Sequence, residues 1–297
     1  MGASAPAEVN ARSLRRMPLP EPGEDGDKED RGRVLVVGGA ATLPGALLLA
    51  GTAVLRAGAG KLQLATVDSV ALHVGVAVPE ALVLGVAEDE DGGIGADGVD
   101  RIAKYAERAD CVLIGPGLVG ERAIARLLAG LLPRVGRGSV VLDAGALAPL
   151  GDDPSVLHDL GGRAVITPHA GEMAALIGVE KADVERDPAR AARSAAESLG
   201  AVVALKGPIT YIADPAGEMS RYDGGRVGLA TSGSGDTLAG VVAGLLARGA
   251  SPLEAAAWGV FLHGEAGNVL SRRIGRVGYL ARELLDEIPR IMARLAK

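Results

Sequence analysis

The chain has 297 residues, 48% apolar but only 2% aromatic, and a net charge of −6. That balance excludes a nucleic-acid binder working through a basic face, and it allows a large core built from Val, Leu, Ile and Ala. The single cysteine, Cys111, excludes an intrachain disulfide and a cysteine cluster for a metal, which fits a reducing, cytoplasmic setting. The opening residues lack the apolar segment of a signal peptide, and no apolar run is long enough to span a bilayer.

Residues 1–31 read as a disordered or loosely packed tail, because Glu21–Asp30 is acidic, carries Pro22, Gly23 and Gly26, and has no apolar face to bury. The alternative is an interaction arm. A single domain is expected from residue 32 to 297. It begins with the apolar run Arg33–Val37 ending in Gly38-Gly39, the pattern of a buried strand feeding a loop. Pro44 stands where a helix can start, and Ala46–Ala57 is helical in pattern. Strand-like runs follow at Leu62–Val67, Cys111–Ile114, Val140–Leu142, Ala164–Thr167 and Val202–Leu205, with helical stretches between most of them. Asp187-Pro188 predicts an N-cap followed by proline at the first helical position, and Ser251-Pro252-Leu253-Glu254 predicts a capping box. Val202–Leu205, Ile209–Ala213 and Glu218–Tyr222 crowd together as an antiparallel meander. The fold class is therefore α/β: a central, mostly parallel sheet with helices on both faces. In such sheets ligands bind beyond the carboxyl ends of the strands, so the loops that follow the apolar runs carry the function.

The strongest of these loops is Thr231-Ser232-Gly233-Ser234-Gly235-Asp236, which opens a helix running to about Arg248. Unpaired N–H groups and the positive helix end make an anion site there, and the glycines admit a phosphate. A carboxylate beside a phosphate is unfavourable unless it works, and taking a proton from an attacking hydroxyl is suitable work for Asp236. The alternative is that Asp236 only caps the helix. Thr167-Pro168-His169-Ala170-Gly171-Glu172 joins a strand to a helix, where Glu172 suits the helix dipole or could hold Mg²⁺ through water. Lys206 ends an apolar strand and needs a partner, either a nucleotide phosphate or a carboxylate. Gly115-Pro116-Gly117 and Asp143-Ala144-Gly145 are turns at strand ends. His73, His158 and His263 lack ligand spacing and read as packing residues.

Together these residues resemble the ADP/ATP-dependent NAD(P)H-hydrate dehydratase family, carbohydrate-kinase-like members of the ribokinase superfamily. The Gly-rich loop with Asp236 is general to the superfamily. Val36-Val37-Gly38-Gly39, Pro44-Gly45-Ala46, Arg56-Ala57-Gly58-Ala59-Gly60 and Thr167-Pro168-His169 with Glu172 are more specific. Related vitamin kinases carry Asn where His169 stands. The resemblance implies a ribokinase-like three-layer fold and a repair reaction in which ADP drives dehydration of (6S)-NAD(P)H hydrate, releasing AMP and phosphate. It places Ala46, Gly117, His169 and Asp236 at the hydrated cofactor. It places Lys206, Gly207, Pro208, Ile209, Thr210, Gly233, Ser234 and Gly235 at the nucleotide, and implies Mg²⁺, a separate epimerase, and a homo-oligomer, tetrameric in the family. The chain departs from the pattern at Ser232 and at Gly145, where many members carry Gly and Asp. The other enzyme reading is a small-molecule kinase for a vitamin precursor or a sugar.

Overall fold

The computed structural model describes residues 5–21, 23 and 25–295. Its strands are β1 (Ala7–Glu8), β2 (Arg33–Val37), β3 (Lys61–Val67), β4 (Ala81–Val86), β5 (Cys111–Ile114), β6 (Ser139–Leu142), β7 (Ala164–Ile166), β8 (Val202–Leu205), β9 (Thr210–Ala213) and β10 (Met219–Tyr222). They form one sheet in the order β1-β10-β9-β8-β7-β6-β5-β2-β3-β4. The run from β8 to β4 is parallel, and β8, β9 and β10 make the antiparallel meander expected from residues 202–222.

The helices are α1 (Ala11–Leu14), α2 (Pro44–Arg56), α3 (Asp68–Ala77), α4 (Val99–Ala106), α5 (Glu121–Leu131), α6 (Ala170–Ile177), α7 (Lys181–Arg186), α8 (Pro188–Leu199), α9 (Ser234–Ala247), α10 (Pro252–Arg273) and α11 (Ala281–Leu295). The sheet carries a core on each face. Val34 and Val36 of β2 point into the layer of α2, α9, α10 and α11. Leu35 and Val37 point into the layer of α4, α5, α6 and α8. This period-2 division explains why the central strands read as unbroken apolar runs: both of their faces are covered. Both predicted caps form. Asp187 accepts from the Arg190 N–H, and Ser251 and Glu254 close a capping box at the start of α10.

Two elements differ from the sequence expectation. The strand β4 lies at the sheet edge, directly after α3, in an apolar stretch whose break at Pro79-Glu80 is the one short signal that separates strand from helix. The expected tail, residues 1–31, is docked over its described first part. The strand β1 pairs with β10, Asn10 and Ser13 form a capping box for α1, and Leu14 is fully buried. Trp258 Nε1 donates to the Met17 carbonyl at 2.8 Å and Arg248 Nη2 to that of Pro20 at 2.8 Å. The anchors Val9, Leu14, Met17 and Leu19 are spaced among polar residues, so composition hides them. The described residues of the acidic stretch Glu21–Asp30 are exposed. Among the described residues no helix is long and apolar enough to cross a membrane.

Candidate active site

The loops after β6, β7 and β8, neighbours in the sheet, meet the start of α9 at the carboxyl ends of these strands. At their centre is Asp143, 2% exposed, which follows β6. Its Oδ1 accepts from Thr167 Oγ1 at 2.7 Å and from Lys206 Nζ at 3.0 Å. Lys206 in turn lies 3.9 Å from Glu172 Oε2. Burial alone would push the Lys206 ammonium down, but Asp143, Glu172 and Asp236 together hold it above its ordinary value. Asp143 thus gives Lys206 a carboxylate partner, and Lys206 still lines the cavity. A signal for Asp143 did exist, since it is an acid at the end of a buried strand matching a lysine at the end of another.

The loop after β7 is fixed by α6. His169 is the N-cap: its Nδ1 accepts from the Gly171 and Glu172 N–H groups at 3.0 and 3.1 Å, while Glu172 Oε2 accepts from the His169 N–H at 2.7 Å. An accepting Nδ1 in a neutral ring leaves the proton on Nε2. His169 therefore offers an N–H donor, 3.5 Å from Glu172 Oε1 and otherwise open, on a side chain 59% exposed. Glu172 is committed to this cap and to Lys206. Among the described residues no acid or histidine cluster suits a protein-held metal.

At the start of α9, Gly233 is the N-cap with φ of 84°, and Asp236 sits in the first turn with no side-chain capping bond. The capping alternative for Asp236 therefore has no support in the geometry. A Cβ on Gly235 would lie 3.3 Å from Lys206 Nζ, so glycine here keeps the helix end open to the lysine. Burial first, then the charge of Asp143, push the Asp236 carboxyl from 3.8 up to about 6, against the pull of Lys206. On α10, His263 Nε2 lies 2.8 Å from Ser234 Oγ. Burial, then the Lys206 charge, push His263 down to about 4, against a hydrogen bond to the Ser234 main chain that favours the charged ring. His263 is thus a cavity residue rather than the packing residue its sequence setting suggests. Only the packing of α10 on α9 brings it here, and no sequence spacing announces that.

Asp236, His169, Glu172, Lys206, Ser234 and Gly235 line one cavity of about 780 Å³. Gly207, Pro208 and Thr210 line it too, and its apolar part includes Val227, Leu229 and Val260. Ile209 faces a second cavity of about 790 Å³ that shares His169, Lys206, Gly207 and Pro208 as a wall. Gly117 and Ala46 stand apart from both linings but together: a Cβ on Gly117 would lie 3.1 Å from the Ala46 Cβ. Gly233 is not among the residues lining the first cavity, while its neighbour Ser234 is.

An open helix N-terminus, a half-buried lysine and a carboxylate poised near neutrality, set on this sheet, define an enzyme of the ribokinase-like class. Within that class, residues 34–290 match the model of the family described as NAD(P)H-hydrate dehydratase, and the chain belongs to that family. It is 50% identical over 289 residues to the ADP-dependent (S)-NAD(P)H-hydrate dehydratase of Xanthomonas campestris, covering 97% of each chain. It is 40% identical to the bifunctional NAD(P)H-hydrate repair enzyme of Moorella thermoacetica, over 94% of this chain, and spans 53% of that longer protein. The Bacillus subtilis ADP/ATP-dependent NAD(P)H-hydrate dehydratase, co-crystallised with ATP and Mg²⁺, superposes with a TM-score of 0.82 at 29% identity, over 99% of this chain and 100% of that one.

Proposed function

We propose that the chain is an ADP-dependent (6S)-NAD(P)H-hydrate dehydratase. The carrying observation is one cavity that joins the anion site at the start of α9, the Asp236 carboxylate with its pKa near 6, and the outward N–H of His169. The phosphates of ADP meet the α9 N-terminus and Lys206, whose cation is kept by Asp143. Lys206, Gly207, Pro208 and Thr210 border the nucleotide, with adenine on the aliphatic side chains of Val227, Leu229 and Val260. Trp258 is buried and bonded to Met17, so it offers no stacking surface. His169 donates to the hydrated cofactor, whose ring extends toward Gly117 and Ala46.

Asp236 takes the proton of the ring hydroxyl. The oxygen attacks the terminal phosphorus of ADP, the bridging P–O bond breaks, and AMP leaves. Dipole and lysine stabilise the moving phosphoryl group. The ring nitrogen's electron pair then expels phosphate from carbon, and loss of the adjacent carbon's proton restores the ring double bond. The balance is hydrate plus ADP giving NAD(P)H, AMP and phosphate. Mg²⁺ would be carried by the phosphates, with Glu172 reaching it only through water, and no step here runs through it. An enzyme that takes one epimer depends on an epimerase for the other; that partner and a homo-oligomeric state belong to the same proposal.

The test is turnover of hydrated NADH followed at the absorbance of the reduced ring, with ADP and ATP compared. AMP and phosphate in equal amounts support the dehydratase, whereas a stable phosphorylated product supports the small-molecule kinase.

A further inference from the structure

We propose that His263 is a positioning residue for the phosphoryl group: its Nε2–H donates to Ser234 Oγ and leaves the Ser234 proton to point at the bound anion. The inference rests on the nucleotide reading of this cavity. Ser234 is the first residue of α9, 4% exposed, and lines the cavity. Its hydroxyl has one proton to give, and its Oγ lies 2.8 Å from His263 Nε2.

Two arrangements satisfy that contact. In the first, Ser234 donates to an unprotonated Nε2. Its proton is then spent inside the protein, and the oxygen turns lone pairs toward the cavity, where an anion is to bind. In the second, Nε2–H donates to Oγ, and the hydroxyl proton is free for a phosphate oxygen. An anion at the α9 N-terminus selects the second. A charged imidazolium could instead bind phosphate by itself. Burial and the neighbouring Lys206 cation keep His263 uncharged near neutral pH, so its contribution passes through the serine. The cavity thus separates two tasks: Lys206 supplies charge, and the His263–Ser234 pair supplies a directed neutral donor.

The experiment is a double-mutant cycle on ADP affinity, read by titration calorimetry, with His263→Ala, Ser234→Ala and the double variant. Each single change should weaken ADP by roughly tenfold, the loss of one hydrogen bond to a charged group. The double variant should be little weaker than either single one, because the serine is useful only when oriented. His263→Gln, which keeps an N–H donor, should recover most of the loss, and hydrated-cofactor KM should stay near wild type throughout. Losses that multiply in the double variant, or His263→Ala binding ADP like wild type, would overturn the inference. Should His263→Ala fail to fold, failure of folded His263→Gln to bind ADP near the wild-type level has the same meaning, and recovery supports the pair. Wild-type protein that binds no ADP overturns the nucleotide reading itself, a result distinct from any of these.

Discussion

Asp236 sets the residue-scale chemistry, and its raised pKa fixes two signs. As a general base it must be deprotonated, so kcat/KM should fall as pH drops through about 6. Asp236→Asn should lose about 10²–10⁴-fold in turnover and still bind ADP, with less repulsion of the anion. Its effect on stability is opposite. A carboxyl raised from 3.8 to about 6 carries a folded-state charge penalty of at most ~3 kcal/mol, complete above pH 6 and absent below pH 3.8. Asp236→Asn should therefore melt higher than wild type at pH 8, and the gain should vanish as pH falls toward 3.8. A variant that melts lower at pH 8 would contradict the assigned burial. His169→Asn is the complementary change. Asn is a good N-cap, so α6 should keep its start, with stability within ~1 kcal/mol, but its shorter amide no longer carries a donor out to the position of the imidazole Nε2. KM for hydrated cofactor should rise while ADP affinity holds, and parallel loss of both would contradict the assignment of His169 to the cofactor.

At the scale of elements, the N-terminal segment acts as part of the fold. It adds β1 to the meander edge and inserts Leu14 into the layer with α10. Leu14→Ala should cost ~2–3 kcal/mol, the low end for a buried leucine because a short segment can relax. Amide exchange of residues 7–14 should be slow in wild type and fast in the variant; fast exchange in both would mean that the segment does not dock. What the sequence could show at this scale follows from pattern strength. The helix α9, the α10 capping box and the central strands announce themselves through glycine, proline and unbroken apolar runs. Short β1 and α1 offer only spaced anchors, and β4 is set off from α3 by Pro79-Glu80 alone, within one apolar stretch.

For the whole molecule, the sheet is the device that makes a site from distant residues. Asp143, His169 and Lys206 each follow a parallel strand, so adjacent strands place them within bonding reach. The loops holding Lys206, His169 and Asp236 were visible because local chemistry marks them: a strand-end lysine, a strand-to-helix turn and a glycine-rich helix start. The roles of Asp143 and His263 were not, because each depends on partners 24 or more residues away, brought near only by packing. The family resemblance carried the substrate; the residues alone carried a phosphate site with a base. The measurement that tests the central claim most directly is therefore a product balance. With hydrated NADH and ADP, the account predicts one AMP and one phosphate for each reduced nicotinamide ring recovered, all abolished together in Asp236→Asn. A phosphorylated product that persists without recovery of the ring absorbance, or full activity in Asp236→Asn, would contradict it.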